Sequence, residues 1–131
     1  MNASALRGSG AVLTIPFLPA IEAVLAPGFA WAVIDAEHSP LTRADQMQMI
    51  AAAQRLCPLV AVRVRRVDDI SDVLDAGADG VVVPMVDSAA QARTAVAATH
   101  HPPDGARSLG PYRAPPGTAT VHRANRDDHL R

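Results

Sequence analysis

Apolar runs and helix-spaced segments alternate along the chain. AVLTI (11–15), FAWAVID (29–35), PLVAVRV (58–64) and DGVVVPMV (79–86) are short, apolar and rich in branched residues. Each has the length of a buried strand. The segments between them carry helical spacing. PAIEAVLA (19–26) reads as a short helix stopped by Pro27-Gly28. Thr42 with Asp45 three residues on resembles a capping box, and Met47, Ile50 and Ala51 follow as the apolar stripe. Asp68 and Asp69 favour another helix start, Ile70, Val73 and Leu74 keep its spacing, and Gly77 is placed to cap its end. Ser88 opens a fourth helix over SAAQARTAVAAT.

The order is β-α-β-α-β-α-β-α with short connections. Near-continuous Val/Ile/Ala strands predict a parallel sheet buried on both faces, so the fold class is α/β. The pattern stops after residue 100. Residues 101–117 (HPPDGARSLGPYRAPPG) read as one long irregular loop, and the tail VHRANRDDHLR holds no fifth apolar strand. The expected organisation is one unit over 1–131, with 1–10 as a loose lead-in and 101–131 as loop and polar tail.

Composition narrows the function classes. The 131 residues carry a formal net charge of −1 and are 49% hydrophobic. That suits one folded unit, is too short for a complete eight-unit barrel of roughly 250 residues, and argues against a basic nucleic-acid binder. All 12 basic residues are arginine. A lysine Schiff base and a lysine-bearing phosphate loop are therefore excluded within this sequence. Cys57 is the one cysteine, which suits a reducing cytoplasm. No 18-residue apolar run and no signal-peptide core occur, so the expectation is a cytoplasmic chain with no membrane partner.

In parallel α/β folds the active site gathers at the carboxyl ends of the strands. The second run ends in Asp35, with Glu37 and His38 beyond; the third holds Arg63, with Arg65 and Arg66 after it. An imidazole, a carboxylate and a guanidinium on one rim suit acid–base work on an anionic substrate. An imidazole is the side chain that ordinarily exchanges protons near neutrality, so His38 is the leading candidate, against the alternative of a surface histidine. Asp35 ends an apolar strand and must be paired or serve as a cap. Arg63 either meets an anion or oxyanion or forms a structural ion pair with Asp35 or another strand-end acid. Arg65 and Arg66 read as solvated, and Glu37 receives no role. Asp75 sits unfavourably at a helix C-terminus, with exposure as its plainest reading. Arg107, between Gly105 and Ser108, either binds an anion or belongs to a rigid connector. His100 and His101 lack metal-ligand spacing. Met47, Met49 and Met85 read as core.

Four segments together carry a resemblance: AWAVIDAEHSP (30–40), VAVRV (60–64), VLDAGADGVVVPMVDSAAQA (73–92) and HPPDGARSLGPYRA (101–114). Over residues 10–125 the sequence resembles the HpcH/HpaI aldolase family, the 4-hydroxy-2-oxoheptanedioate aldolase type of class II pyruvate aldolase, with citrate lyase β-type proteins more distant. The resemblance implies the N-terminal half, about four βα units, of a phosphoenolpyruvate/pyruvate-type (β/α)8 barrel. It also implies cleavage of a 4-hydroxy-2-oxo acid to pyruvate and an aldehyde, helped by a divalent cation (Mg²⁺, Mn²⁺ or Co²⁺). Carried over, His38 matches the catalytic base, Arg63 the oxyanion-stabilising arginine, and Asp75 the acid that supports the histidine. Asp35 and Arg107 are weaker substrate-binding candidates. The family's metal-holding glutamate and aspartate follow its fifth and sixth strands, so those ligands are expected beyond Arg131 and this chain alone is not expected to hold the cation. A half-barrel exposes two sheet edges and one side of an apolar core. The partners expected are a small 2-oxo acid and a second copy or complementing half-barrel. The alternatives are an inactive remnant, a non-catalytic assembly module, and a citrate-lyase-like carbon–carbon lyase.

Overall fold

A computed structural model describes residues 8–108 and Gly110. Four strands, β1 (Gly10–Leu13), β2 (Trp31–Asp35), β3 (Val60–Arg63) and β4 (Gly80–Val82), form one sheet in the order β1-β2-β3-β4. Every neighbouring pair is parallel. The helices between and after them are α1 (Leu18–Leu25), α2 (Arg43–Ala53), α3 (Ile70–Asp75) and α4 (Ala89–Thr99), with a 3₁₀ turn at Val67–Asp69 leading into α3. Sequential parallel neighbours joined by helices make a singly wound βα array.

Local chemistry explains the boundaries. Thr42 and Asp45 form the capping box of α2, with Asp45 N–H donating to Thr42 Oγ1 at 3.1 Å and Thr42 N–H to Asp45 Oδ2 at 2.8 Å. Ser88 and Gln91 do the same for α4. The end of α3 is a Schellman motif: Gly77 N–H donates to the Leu74 carbonyl and Ala78 N–H to the Val73 carbonyl. Gly77 sits at φ +98°, a backbone conformation that glycine adopts without steric cost. Gly10 serves close approach instead, since a Cβ there would fall 2.1 Å from the Trp31 ring beside it in register.

The core lies between one sheet face and the helices. Ala32, Ile34, Val60 and Val62 point at Ile21, Leu25, Met49, Ile50, Ile70 and Val73, all buried. The other sheet face is open: Val12, in the alternate pleat position, is 62% exposed. The expected burial on both faces is therefore met in full on one only: on the second, Ala61 in the middle is buried while Val12 and Val82 are exposed. The described residues supply no layer for the second face, and β1 and β4 each keep an edge with no strand partner among them. Met85 corrects another expectation. It is 79% exposed rather than core, and follows β4 at φ +54°, a left-handed conformation that costs a branched or long side chain roughly 1 kcal/mol. Gly10 belongs to β1 rather than to the lead-in. The expected tail after residue 110 lies outside the described residues. Among the described residues, no helix is long and apolar enough to cross a membrane.

Candidate functional site

Parallel register decides which side chains meet. Asp35 and Arg63 are direct partners at the ends of β2 and β3. Their side chains form a two-pronged pair: Arg63 Nε donates to Asp35 Oδ1 at 2.9 Å and Nη2 to Oδ2 at 2.6 Å. The sequence allows Asp35 to pair or to cap, and in the fold it does both. Its Oδ1 also accepts the backbone N–H groups of Glu37 and His38, each at 3.1 Å. The Ser39 hydroxyl donates to the Asp35 carbonyl. These bonds fold the chain back immediately after β2. The Arg63 guanidinium, outweighing burial and helped by the two N–H donors, holds the Asp35 carboxyl down to about 2. Asp35 in turn keeps Arg63 more firmly protonated than a free guanidinium.

The turn delivers Glu37 and His38 to the same rim. Glu37 Oε2 lies 3.4 Å from His38 Nε2 and 3.4 Å from Arg63 Nε. His38 and Arg63 therefore lie on one rim with Glu37 between them, a residue to which the sequence reading gives no role. Were the strand to run on past Asp35, Glu37 and His38 would point to opposite sides. The signal against that was Asp35 itself, because an aspartate ending a strand before a break commonly turns the chain by capping the next N–H groups. Arg65 has a part that the sequence reading does not give it. It is exposed, as expected, yet its Nη2 also donates to the Ser39 carbonyl at 2.8 Å and the Leu41 carbonyl at 3.2 Å, pinning the loop that bears His38. Arg66 is exposed, 3.5 Å from Asp69. A cleft of about 260 Å³ behind this loop is lined by Arg43, Arg65, Arg66, Asp69 and Asp72 among others, and does not include His38 or Arg63.

Asp75 and Arg107 lie elsewhere. Asp75 ends α3, and the chain then enters β4 past Asp79, whose carboxylate accepts from Val60 N–H at the start of β3. Asp75 therefore belongs to the amino pole of the sheet, a strand length from His38. The expected pairing of Asp75 with His38 does not form within this chain, because a helix after β3 runs away from the rim. Nor is Asp75 exposed. It is buried, and Arg107 Nη2 donates to its Oδ1 at 2.6 Å. The anion that Arg107 binds is this carboxylate, so Arg107 is removed from the rim as a substrate-binding candidate. Residues 100–107 fold over that pole through Ala106 N–H to the Ala97 carbonyl, Arg107 N–H to the His100 carbonyl, and His101 Nδ1 to the Arg107 carbonyl.

The rim can hold an anionic oxygen on the remaining Arg63 N–H groups and move a proton at His38. It does not fit a metal ion. Its two carboxylates are committed to Arg63, and among the described residues no group of three or more His, Cys, Asp or Glu is placed to hold one.

Comparison with known proteins gives the family and the fold. The HpcH/HpaI aldolase/citrate lyase family model matches residues 19–127. Hydroxypyruvate/pyruvate aldolase of Agrobacterium fabrum (strain C58 / ATCC 33970) is 45% identical over 86 residues, covering 63% of this chain and 32% of the relative. 4-Hydroxy-2-oxovalerate aldolase of Novosphingobium aromaticivorans is 41% identical over 90 residues, 66% of this chain and 34% of the relative. The crystal structure of citrate synthase SbnG superposes with TM-score 0.77 at 31% identity, covering 94% of this chain and 49% of that one. The chain thus spans about a third of the curated relatives and about half of that solved structure. Its four βα units are half of a (β/α)8 barrel.

Proposed function

Because the chain belongs to the HpcH/HpaI aldolase/citrate lyase family, we propose that it carries half of the active site of an aldehyde-lyase that cleaves a 4-hydroxy-2-oxo acid to pyruvate and an aldehyde. In this reading His38 accepts the proton of the C4 hydroxyl. The C3–C4 bond then breaks, the aldehyde leaves, and the bonding electrons pass into an enolate whose oxygen faces Arg63. Protonation at C3 completes pyruvate. Asp35 and the pinned loop keep Arg63 and His38 in place while charge moves between them. The observation that carries the reading is this convergence: His38 and Arg63 share one rim, with a common contact at Glu37 and a two-pronged anchor at Asp35.

The divalent cation and the family's second half belong to the same proposal. The described residues offer no fitting donor set for the cation, so its ligands are assigned to a complementing half-barrel, supplied by further chain or by another subunit. A small 2-oxo acid is the partner in chemistry. The compartment proposed is the cytoplasm, where a lone thiol such as Cys57, buried against the Phe29 and Leu59 carbonyls, stays reduced. The open sheet face favours one second reading, a non-catalytic assembly module.

Pyruvate release from a 4-hydroxy-2-oxo acid, by the chain combined with a complementing half-barrel, decides between them. The expected result is turnover that needs Mg²⁺, Mn²⁺ or Co²⁺ and falls about 10²- to 10⁴-fold in His38→Ala. Turnover that survives thorough chelation, or that ignores His38→Ala, would overturn the aldolase reading.

A further inference from the structure

The two free edges of the sheet differ in shape. Beside β1, the strand and α1 bound an apolar groove of about 140 Å³, lined by Val12, Ile15, Ala20, Ile21 and Val24 among others. At the far end, β4 buries none of its three residues and α4 buries only Ala95 of its eleven. Val82, Met85 and Val86 stand exposed on β4 or just after it. The inner strands β2 and β3, flanked by a unit on either side, each bury three residues. One end of the array thus offers an apolar hollow and the other offers bare apolar side chains, and both lack the cover that a neighbouring βα unit gives.

We propose that the partner of these edges is a second copy of this chain, the β4–α4 end of each copy seated in the β1–α1 groove of the other. Each unit of an eight-unit barrel takes roughly 45° of arc, so four units take about 180° and two copies close the ring with no unit left over. The contact is head-to-tail, and head-to-tail contacts form a closed ring when the rotation closes. Chain direction agrees, since a two-fold rotation about the barrel axis keeps all eight strands parallel and opens both His38–Arg63 rims at one mouth. Closure also removes both strand edges, which an open sheet offers for uncontrolled pairing. The proposal rests on the half-barrel fold and the assembly reading, not on the aldolase chemistry.

Sedimentation velocity of the 131-residue chain at up to about 100 µM counts the chains in each species. The expected result is a two-chain species with nothing larger. Val24→Asp in the groove and Val86→Asp at the β4 end each put an acid into the apolar contact and raise the dimer Kd at least about tenfold. Leu56→Asp, at a similarly exposed apolar position in the turn before β3, leaves the dimer in place. The two edge variants associate again when mixed, because one contact of the mixed pair carries neither acid. A chain that stays monomeric, a species larger than two chains, edge variants that pair like the parent, or a mixture that regains nothing would each overturn the proposal. Far-UV circular dichroism checks each fold, and Val12→Asp and Met85→Asp, at still more exposed positions, replace an edge variant that fails to fold. Turnover in the assay above bears on the aldolase reading alone, whereas a two-chain species that ignores the edge variants overturns this pairing and leaves the assembly reading standing.

Discussion

The two poles of the sheet hold the same pair of groups and put them to different ends. At the carboxyl rim Arg63 grips Asp35, with side-chain exposures of 32% and 5%. At the amino pole Arg107 grips Asp75, with exposures of 13% and 9%. The rim pair leaves its guanidinium open and has an imidazole and a second carboxylate within reach. The amino-pole pair is roofed by residues 100–107, and its Arg107 Nε is buried without a partner among the described residues. An arginine–aspartate pair is thus a site where neighbours leave part of the arginine to solvent, and a staple where they do not. Family resemblance alone sorts these four residues differently, since it groups Asp75 with His38.

Breaking each pair should expose the difference. Arg107→Ala leaves Asp75 buried and unpaired, and the expected loss in a urea titration is about 3–5 kcal/mol. Arg63→Ala should cost clearly less, because Asp35 keeps two backbone donors and water reaches the vacated side. Equal losses would show that the rim is as closed as the staple.

The second effect is a pH dependence at the rim. The Asp35 carboxyl is lowered from 3.8 to about 2 in the folded chain, so its stabilisation is complete above about pH 3.8 and is lost as pH falls towards 2. With solvent screening on the Arg63 side allowed for, about 1–2 kcal/mol should disappear across that window. Urea midpoints at several pH values, compared with Asp35→Asn, measure it. A parent-to-variant gap that stays constant from pH 5 to about pH 2 would contradict the assigned pair.

The smallest effect comes from the turn itself. Ser39 is buried and its hydroxyl donates to the Asp35 carbonyl, so Ser39→Ala should cost about 1 kcal/mol. It should also speed amide hydrogen exchange at Glu37 and His38 while leaving residues 100–107 unchanged. Faster exchange at both poles would mean that the two are not independent.

Much of the fold was legible residue by residue. Thr42/Asp45, Ser88 and Gly77 mark helix ends with chemistry that acts within a few residues, and all three function where they stand. Three of the four strands lie within their apolar runs and β1 starts one residue before its run, at Gly10; all four are shorter than the runs, because pairing ends where register partners end rather than where hydrophobicity does. Met85 shows the same limit: it is apolar, yet nothing among the described residues covers it. Asp35, His38 and Arg63 were legible as a rim because parallel strands bring successive carboxyl ends together. Glu37 was not, since its direction depends on a turn made by the Asp35 side chain. Arg65 was not, since its acceptors are carbonyls more than twenty residues away.

By itself the sequence determined which segments become strands and helices, that they wind in parallel, and that an imidazole and a guanidinium reach one end. Those outcomes follow from side-chain period, capping and chain direction, all of which act locally or repeat along the chain. Only the tertiary structure decided which carboxylate serves which arginine and which one faces the ring. A charge selects its partner by distance and by exclusion of water, and both are set only when β2 meets β3 and residues 100–107 close over α3.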